Sequence, residues 1–142
     1  MATFTFYDAW KGVSGASANL SSDTLKLSLC SAVPATSAAA ASALKTNATE
    51  ISAAGGYTAK TPTVTWTGTS TMTLGLTADQ VWTASGAAFD QFRYVLLWDD
   101  TVTSPNADPC IGYWDYGSNV TLNDGESFTL DLNGSFAAYT LT

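Results

Sequence analysis

The chain has 142 residues, which is enough for one domain with a sizeable hydrophobic core. Only 12% of the residues are charged, about half the usual share, and the formal net charge is −7 from 12 acidic and 5 basic residues. Because nucleic acids and anionic membranes are bound by clustered basic residues, and the five here are scattered, both kinds of partner are disfavoured.

Targeting signals are also missing from the pattern. No apolar run approaches the roughly 20 residues of a membrane span, and the N-terminus has no basic stretch followed by a long apolar one. We therefore expect synthesis in a cytosol without a secretory leader. The many threonines and few charges favour an extracellular or virion protein over a cytosolic enzyme, since threonine suits the exposed face of a strand.

The first third of the chain predicts two strands and one ambiguous segment. Residues 3–7 alternate between threonine and aromatic residues, as in a strand, and residues 8–11 favour a short helix. Leucines alternate with polar residues over 25–30, which predicts a half-buried strand. The stretch 31–56 is rich in alanine, so it predicts either a short helix or a loosely held surface arm.

The remainder predicts a succession of short strands separated by turns. Residues 63–67 and 71–75 form a predicted hairpin around Gly68. The run Phe92–Trp98 is apolar at both odd and even positions, so we expect a central strand that is covered on both faces. The other predicted strands are 80–83, 110–116, 120–122, 127–132 and 136–141, with turns at Asn123-Asp124-Gly125 and Asn133-Gly134.

This spacing predicts the fold class. Eight or nine strands at intervals of about ten residues, without a long amphipathic helix, are typical of an all-β protein built as a β-sandwich. We expect a single β-sandwich domain over residues 1–142, with a variable alanine-rich arm at 31–56.

Catalytic machinery is not apparent in the sequence. Histidine is absent, which excludes Ser-His-Asp and Cys-His catalysis and histidine-ligated metals. Four acidic residues, Asp99, Asp100, Asp108 and Asp115, bracket the loop after the central strand. A turn stabilised by aspartate side chains is favoured there, ahead of a calcium site and, last, a catalytic carboxylate pair. We therefore expect no enzyme, no metal and no cofactor.

Cysteine and tryptophan are interpreted mainly as core residues. Cys30 and Cys110 are too few for a disulfide scaffold or a zinc site, and buried free thiols are favoured over a bridge. Core or subunit interface is favoured over a carbohydrate platform for the tryptophans, which are Trp10, Trp66, Trp82, Trp98 and Trp114.

Four blocks of sequence carry a family resemblance. They are Thr24-Leu-Lys-Leu-Ser-Leu-Cys30, Gly55-Gly-Tyr-Thr58, Arg93-Tyr-Val-Leu-Leu-Trp98 and Pro109-Cys-Ile-Gly-Tyr-Trp-Asp-Tyr-Gly117, followed by an Asn-Asp-Gly turn. Over about residues 20–132 this pattern resembles small tailed-bacteriophage virion proteins of the capsid decoration or cement type.

The resemblance implies a jelly-roll-like fold and a structural role. Such a protein binds the outer surface of the capsid, bridges major capsid subunits and associates with itself as a homodimer or homotrimer, so we expect it in the virion. The aromatic content keeps open an alternative, a tail-fibre or receptor- and glycan-binding module.

The N-terminal segment is the predicted interface. Residues 1–12 are interpreted as a docking arm because their apolar side chains lie near a terminus and are hard to bury in a separate core. The residues expected to make the contacts are Phe4, Phe6, Tyr7 and Trp10, and the alanine-rich stretch comes second.

Overall fold

The protein is described by a computed structural model that covers residues 3–132 and 135–141. Nearly all regular structure is β, so the all-β prediction is confirmed, whereas the jelly-roll topology stays a prediction. One α-helix, α1 (Trp10–Ala16), and two single 3₁₀ turns accompany the strands. The strands are β1 (Thr3–Phe6), β2 (Leu25–Ala32), β3 (Thr49–Glu50), β4 (Thr63–Gly68), β5 (Met72–Thr77), β6 (Gln80–Thr83), β7 (Phe92–Asp99), β8 (Cys110–Val120), β9 (Ser127–Leu130) and β10 (Ser135–Leu141).

The strands form three antiparallel sheets. The largest has five strands in the order β1-β8-β7-β2-β3, and the others are β10-β5-β4 and β6-β9. β7 lies in the middle of the five-stranded sheet, as its unbroken apolar pattern predicted. Its residues Val95, Leu96 and Leu97 are fully buried, so both faces of this strand are covered.

The predicted hairpin is confirmed, with β4 paired to β5 from Thr63 opposite Thr77 to Gly68 opposite Met72. Gly68 has a φ of 136°, which side chains with a Cβ rarely adopt. A Cβ at this position would also collide with the backbone of Thr71. Glycine is therefore required where β4 enters the turn.

The structure corrects the prediction of a separate strand at 120–122. Val120 is the last residue of β8, where it pairs with Phe92, and Leu122 lies outside the strands. A register shift between Phe92 and Tyr94 lets β8 continue along β7 beyond the expected end. One long strand thus replaces two short ones.

The alanine-rich arm contains no α-helix, and residues 43–45 of it are bonded to the main sheet. Leu44 forms a β-bridge with Pro109. The N–H of Lys45 donates to the carbonyl of Asp108, and the N–H of Cys110 donates to the carbonyl of Ala43, each at 2.9 Å. The end of the alanine run is therefore hydrogen-bonded to the start of β8, where the Ala43 carbonyl and the Lys45 N–H find tertiary partners instead of a continuing helix.

Two further expectations concern the cysteines and membrane spans. Cys30 and Cys110 are free and buried, as the sequence favoured. Burial raises the pKa of each thiol to about 12, which leaves both unreactive near neutral pH. Among the described residues, no helix has the length and apolar character that crossing a bilayer requires.

Candidate functional site

The N-terminal segment is part of the main sheet. β1 pairs with β8, with Phe4 opposite Trp114 and their ring centroids 4.5 Å apart. Gly112 makes this approach possible, because a Cβ there would lie 2.6 Å from the carbonyl oxygen of Thr5 and collide with the Phe4 ring. The segment is therefore an edge strand held by hydrogen bonds and by aromatic packing.

Two of the four predicted interface residues belong to the core. Tyr7 and Trp10 are fully buried, so the expectation that they are hard to bury is wrong. The Tyr7 hydroxyl donates to the carbonyl of Pro34 at 3.1 Å, and its N–H donates to the carbonyl of Ile111 at 3.1 Å. Phe4 and Phe6 are half-buried. An interface role of the segment stays a prediction, and these two residues have the accessible surface that it requires.

The acidic loop after β7 begins with an aspartate-stabilised turn, as predicted. Asp99 is fully buried, and its Oδ1 accepts hydrogen bonds from the N–H groups of Thr101 at 2.9 Å and Val102 at 3.3 Å. This is the local backbone bonding for which aspartate is favoured in turns.

The other three acids have separate partners. Asp100 lies 3.9 Å from the Lys26 ammonium, and Asp115 forms a bidentate pair with Arg93 at 2.7 and 2.8 Å. Asp108 contributes its backbone to the contact with the alanine-rich arm. Over the described residues, no group of three or more His, Cys, Asp or Glu side chains lies close enough to hold a metal ion.

Asp99 also has a neighbour that the sequence did not indicate. Its Oδ2 meets no donor within the described part of the chain, and the Asp23 carboxylate is a neighbouring negative charge. Burial, together with the adjacent Asp23 charge, raises the pKa of Asp99 to about 6. Asp99 and its neighbour Asp23 thus form a carboxyl pair in which Asp99 is protonated below about pH 6.

This carboxyl pair arises from strand register. Leu25 pairs with Asp99 at the ends of β2 and β7, which brings residue 23 beside residue 99. Because 75 residues separate the two along the chain, no local motif signals the contact. Within the described residues, the pair belongs to no group of three or more His, Cys, Asp or Glu side chains that could hold a metal ion.

A second polar network holds the arm to the sheet. The N–H of Leu29 donates to the Tyr57 hydroxyl at 2.9 Å, and this hydroxyl donates to Glu50 at 2.7 Å. Glu50 also forms an ion pair with Lys45. Burial opposes ionisation of Glu50, but the hydrogen bonds from Lys45 and Tyr57 prevail and lower its pKa. Tyr57, part of the Gly-Gly-Tyr block, thus has a structural role.

The tryptophans divide four to one between interior and surface. Trp10, Trp82, Trp98 and Trp114 are buried, which confirms the core interpretation for them. Trp66 on β4 is half-buried and borders an open cavity of about 230 Å³. The polar lining includes Lys11 and Asn19. In this cavity a half-buried aromatic ring lies near two polar side chains.

Comparison with known proteins identifies no relative. The chain matches no protein-family model, no curated protein and no solved structure.

Proposed function

We propose that this protein is a structural component of a tailed-phage virion, which binds the outer capsid surface and bridges major capsid subunits. The observation that carries the proposal is the spatial arrangement of the resembling blocks. Three of them form β2, β7 and β8, which are adjacent in one sheet, and the fourth places Tyr57 against β2. The four blocks thus form one continuous structural unit.

The physical role of such a unit is mechanical. The five-stranded sheet, with the arm and the N-terminal segment hydrogen-bonded to it, provides a rigid body. Bridging capsid subunits requires such a body and no catalytic residues. A rigid domain docked across neighbouring capsid subunits adds buried interface area at many symmetric positions, and repeated weak contacts give high total affinity. Phe4 and Phe6, at the β1 edge, are the proposed contacts to the capsid.

The test is location in the particle. Phage particles produced from the genome that encodes this chain are purified, analysed by mass spectrometry and imaged by electron cryo-microscopy. We expect the chain on the outside of the head in a fixed ratio to the major capsid protein. Particles without the chain, or with the chain in the tail alone, would contradict the proposal.

A second candidate function is a glycan-binding module, which the cavity beside Trp66 favours. An aromatic ring with Lys11 and Asn19 nearby matches the stacking and hydrogen bonding that sugars require. A glycan array read together with Trp fluorescence tests this function, with Trp66→Phe as the variant. Absence of any sugar response in the native chain counts against it.

A further inference from the structure

β4 is an edge strand without the usual protection against pairing. Within the described residues β5 is its one strand partner, so its other side has N–H and C=O groups without a strand neighbour. Natural edges are blunted by charged residues, prolines, bulges or short length. β4 spans six residues, contains neither charge nor proline, and pairs with β5 without a register shift.

The sequence of this edge is nearly symmetric about its third residue. Thr63-Val-Thr-Trp-Thr67 reads almost the same in both directions around Thr65. If two copies of the strand run antiparallel about that point, Thr63 faces Thr67 and Val64 faces Trp66. Thr65 then faces its own counterpart, which is the geometry of a contact between identical surfaces related by a twofold axis.

Burial along the strand fits the same arrangement. Val64 and Trp66 lie on one face of β4 and are packed against the core, but each is only partly buried. Pairing would place Val64 of each copy opposite Trp66 of the other and cover apolar surface that remains open in the single chain. The threonines on the opposite face would form cross-strand pairs, and no like charges would meet within the strand despite the net charge of −7.

We propose that two copies of this chain associate through β4, antiparallel and centred on Thr65, to join their three-stranded sheets into one six-stranded sheet. The partner is a second copy because the strand is complementary to itself in both side-chain pattern and charge. The inference does not depend on the virion role, since it is drawn from β4 alone.

The decisive experiment uses the self-contact at position 65. Sedimentation velocity measures the native chain, Thr65→Lys, Thr65→Glu and an equimolar mixture of the two variants. We expect a concentration-dependent dimer for the native chain and a dissociation constant raised about tenfold or more in each variant, because like charges oppose each other across the axis. The mixture should regain the dimer, since opposite charges then face each other.

Controls separate the interface from loss of folding. Circular dichroism should show that both variants are folded, and Thr129→Lys, which changes an exposed strand threonine in the β6-β9 sheet, should leave the dimer intact. A native chain that is monomeric or trimeric overturns the proposal, and so does a dimer that tolerates both substitutions. Amide hydrogen exchange gives an independent measure, because the outward N–H groups of β4 should gain protection with concentration.

Discussion

Replacing Asp99 by asparagine should abolish a specific pH dependence of stability. Asp99 is fully buried beside Asp23, and its pKa is about 6 in the folded protein against 3.8 ordinarily. A raised pKa means that the folded state binds the proton more tightly than the unfolded state does. The contribution to stability is therefore complete below about pH 4 and is lost as the pH rises through about 6.

The magnitude follows from the linkage relation. A difference of 6 against 3.8 corresponds to about 3 kcal/mol at full protonation. Between about pH 7.5 and about pH 4.5 the expected gain in the free energy of unfolding is about 2 kcal/mol. Below this range stability falls again. The basic partners of Glu50 and Asp115 lower the pKa values of these carboxyl groups, and protonation of the two carboxylates at low pH breaks their ion pairs.

Urea unfolding at a series of pH values measures this effect. Asp99→Asn keeps the shape and the Oδ1 acceptor, and its amide can donate to Asp23, so its stability should be nearly constant from about pH 7.5 to about pH 4.5. Asp100→Asn, an exposed neighbour, is the matched control and should retain the native slope. A native protein whose stability does not rise on acidification, or an Asp99→Asn protein that keeps the rise, would refute the carboxyl-pair reasoning.

Three further experiments test packing, hydrogen bonding and burial. Gly112→Ala should lower the free energy of unfolding in urea by about 1–3 kcal/mol, because its Cβ would enter the contact with β1. Its control, Gly12→Ala, lies in open space on α1 and should raise the free energy of unfolding by about 0.5–1 kcal/mol, and equal effects of the two substitutions would contradict this reasoning. Tyr57→Phe should lose about 1–3 kcal/mol by leaving a buried N–H unpaired, and unchanged stability would argue against the network. Cys30 and Cys110 should resist a thiol reagent until the protein unfolds, and rapid native labelling would exclude their burial.

The carboxyl pair illustrates where sequence interpretation ends. Asp99 was correctly assigned to a turn, because an aspartate that bonds its own backbone acts within three residues. The presence of Asp23 could not be foreseen, because it depends on the β2–β7 register. The same holds for Tyr7 and Trp10, whose burial requires β1 to pair with β8, which is remote in sequence.

The alanine-rich arm shows that a local propensity can be overridden by tertiary hydrogen bonds. Helix propensity is a local and weak preference, and here the backbone groups of Ala43 and Lys45 find partners next to β8 instead. A residue pattern contains no information about such partners. The helix alternative was therefore wrong for the arm, whereas the prediction for Phe92–Trp98 is confirmed, because its apolar character itself requires burial on both faces.

The sequence by itself determined the all-β class, the central strand and the β4–β5 hairpin, because strand periodicity, two-sided apolarity and a glycine turn are local signals. It also determined the absence of histidine chemistry. The tertiary structure alone decided which carboxylates meet, how the arm is held, that Tyr7 and Trp10 are core residues and that β4 is an edge. These features depend on which strands become neighbours, and that is settled by the packing of the whole chain.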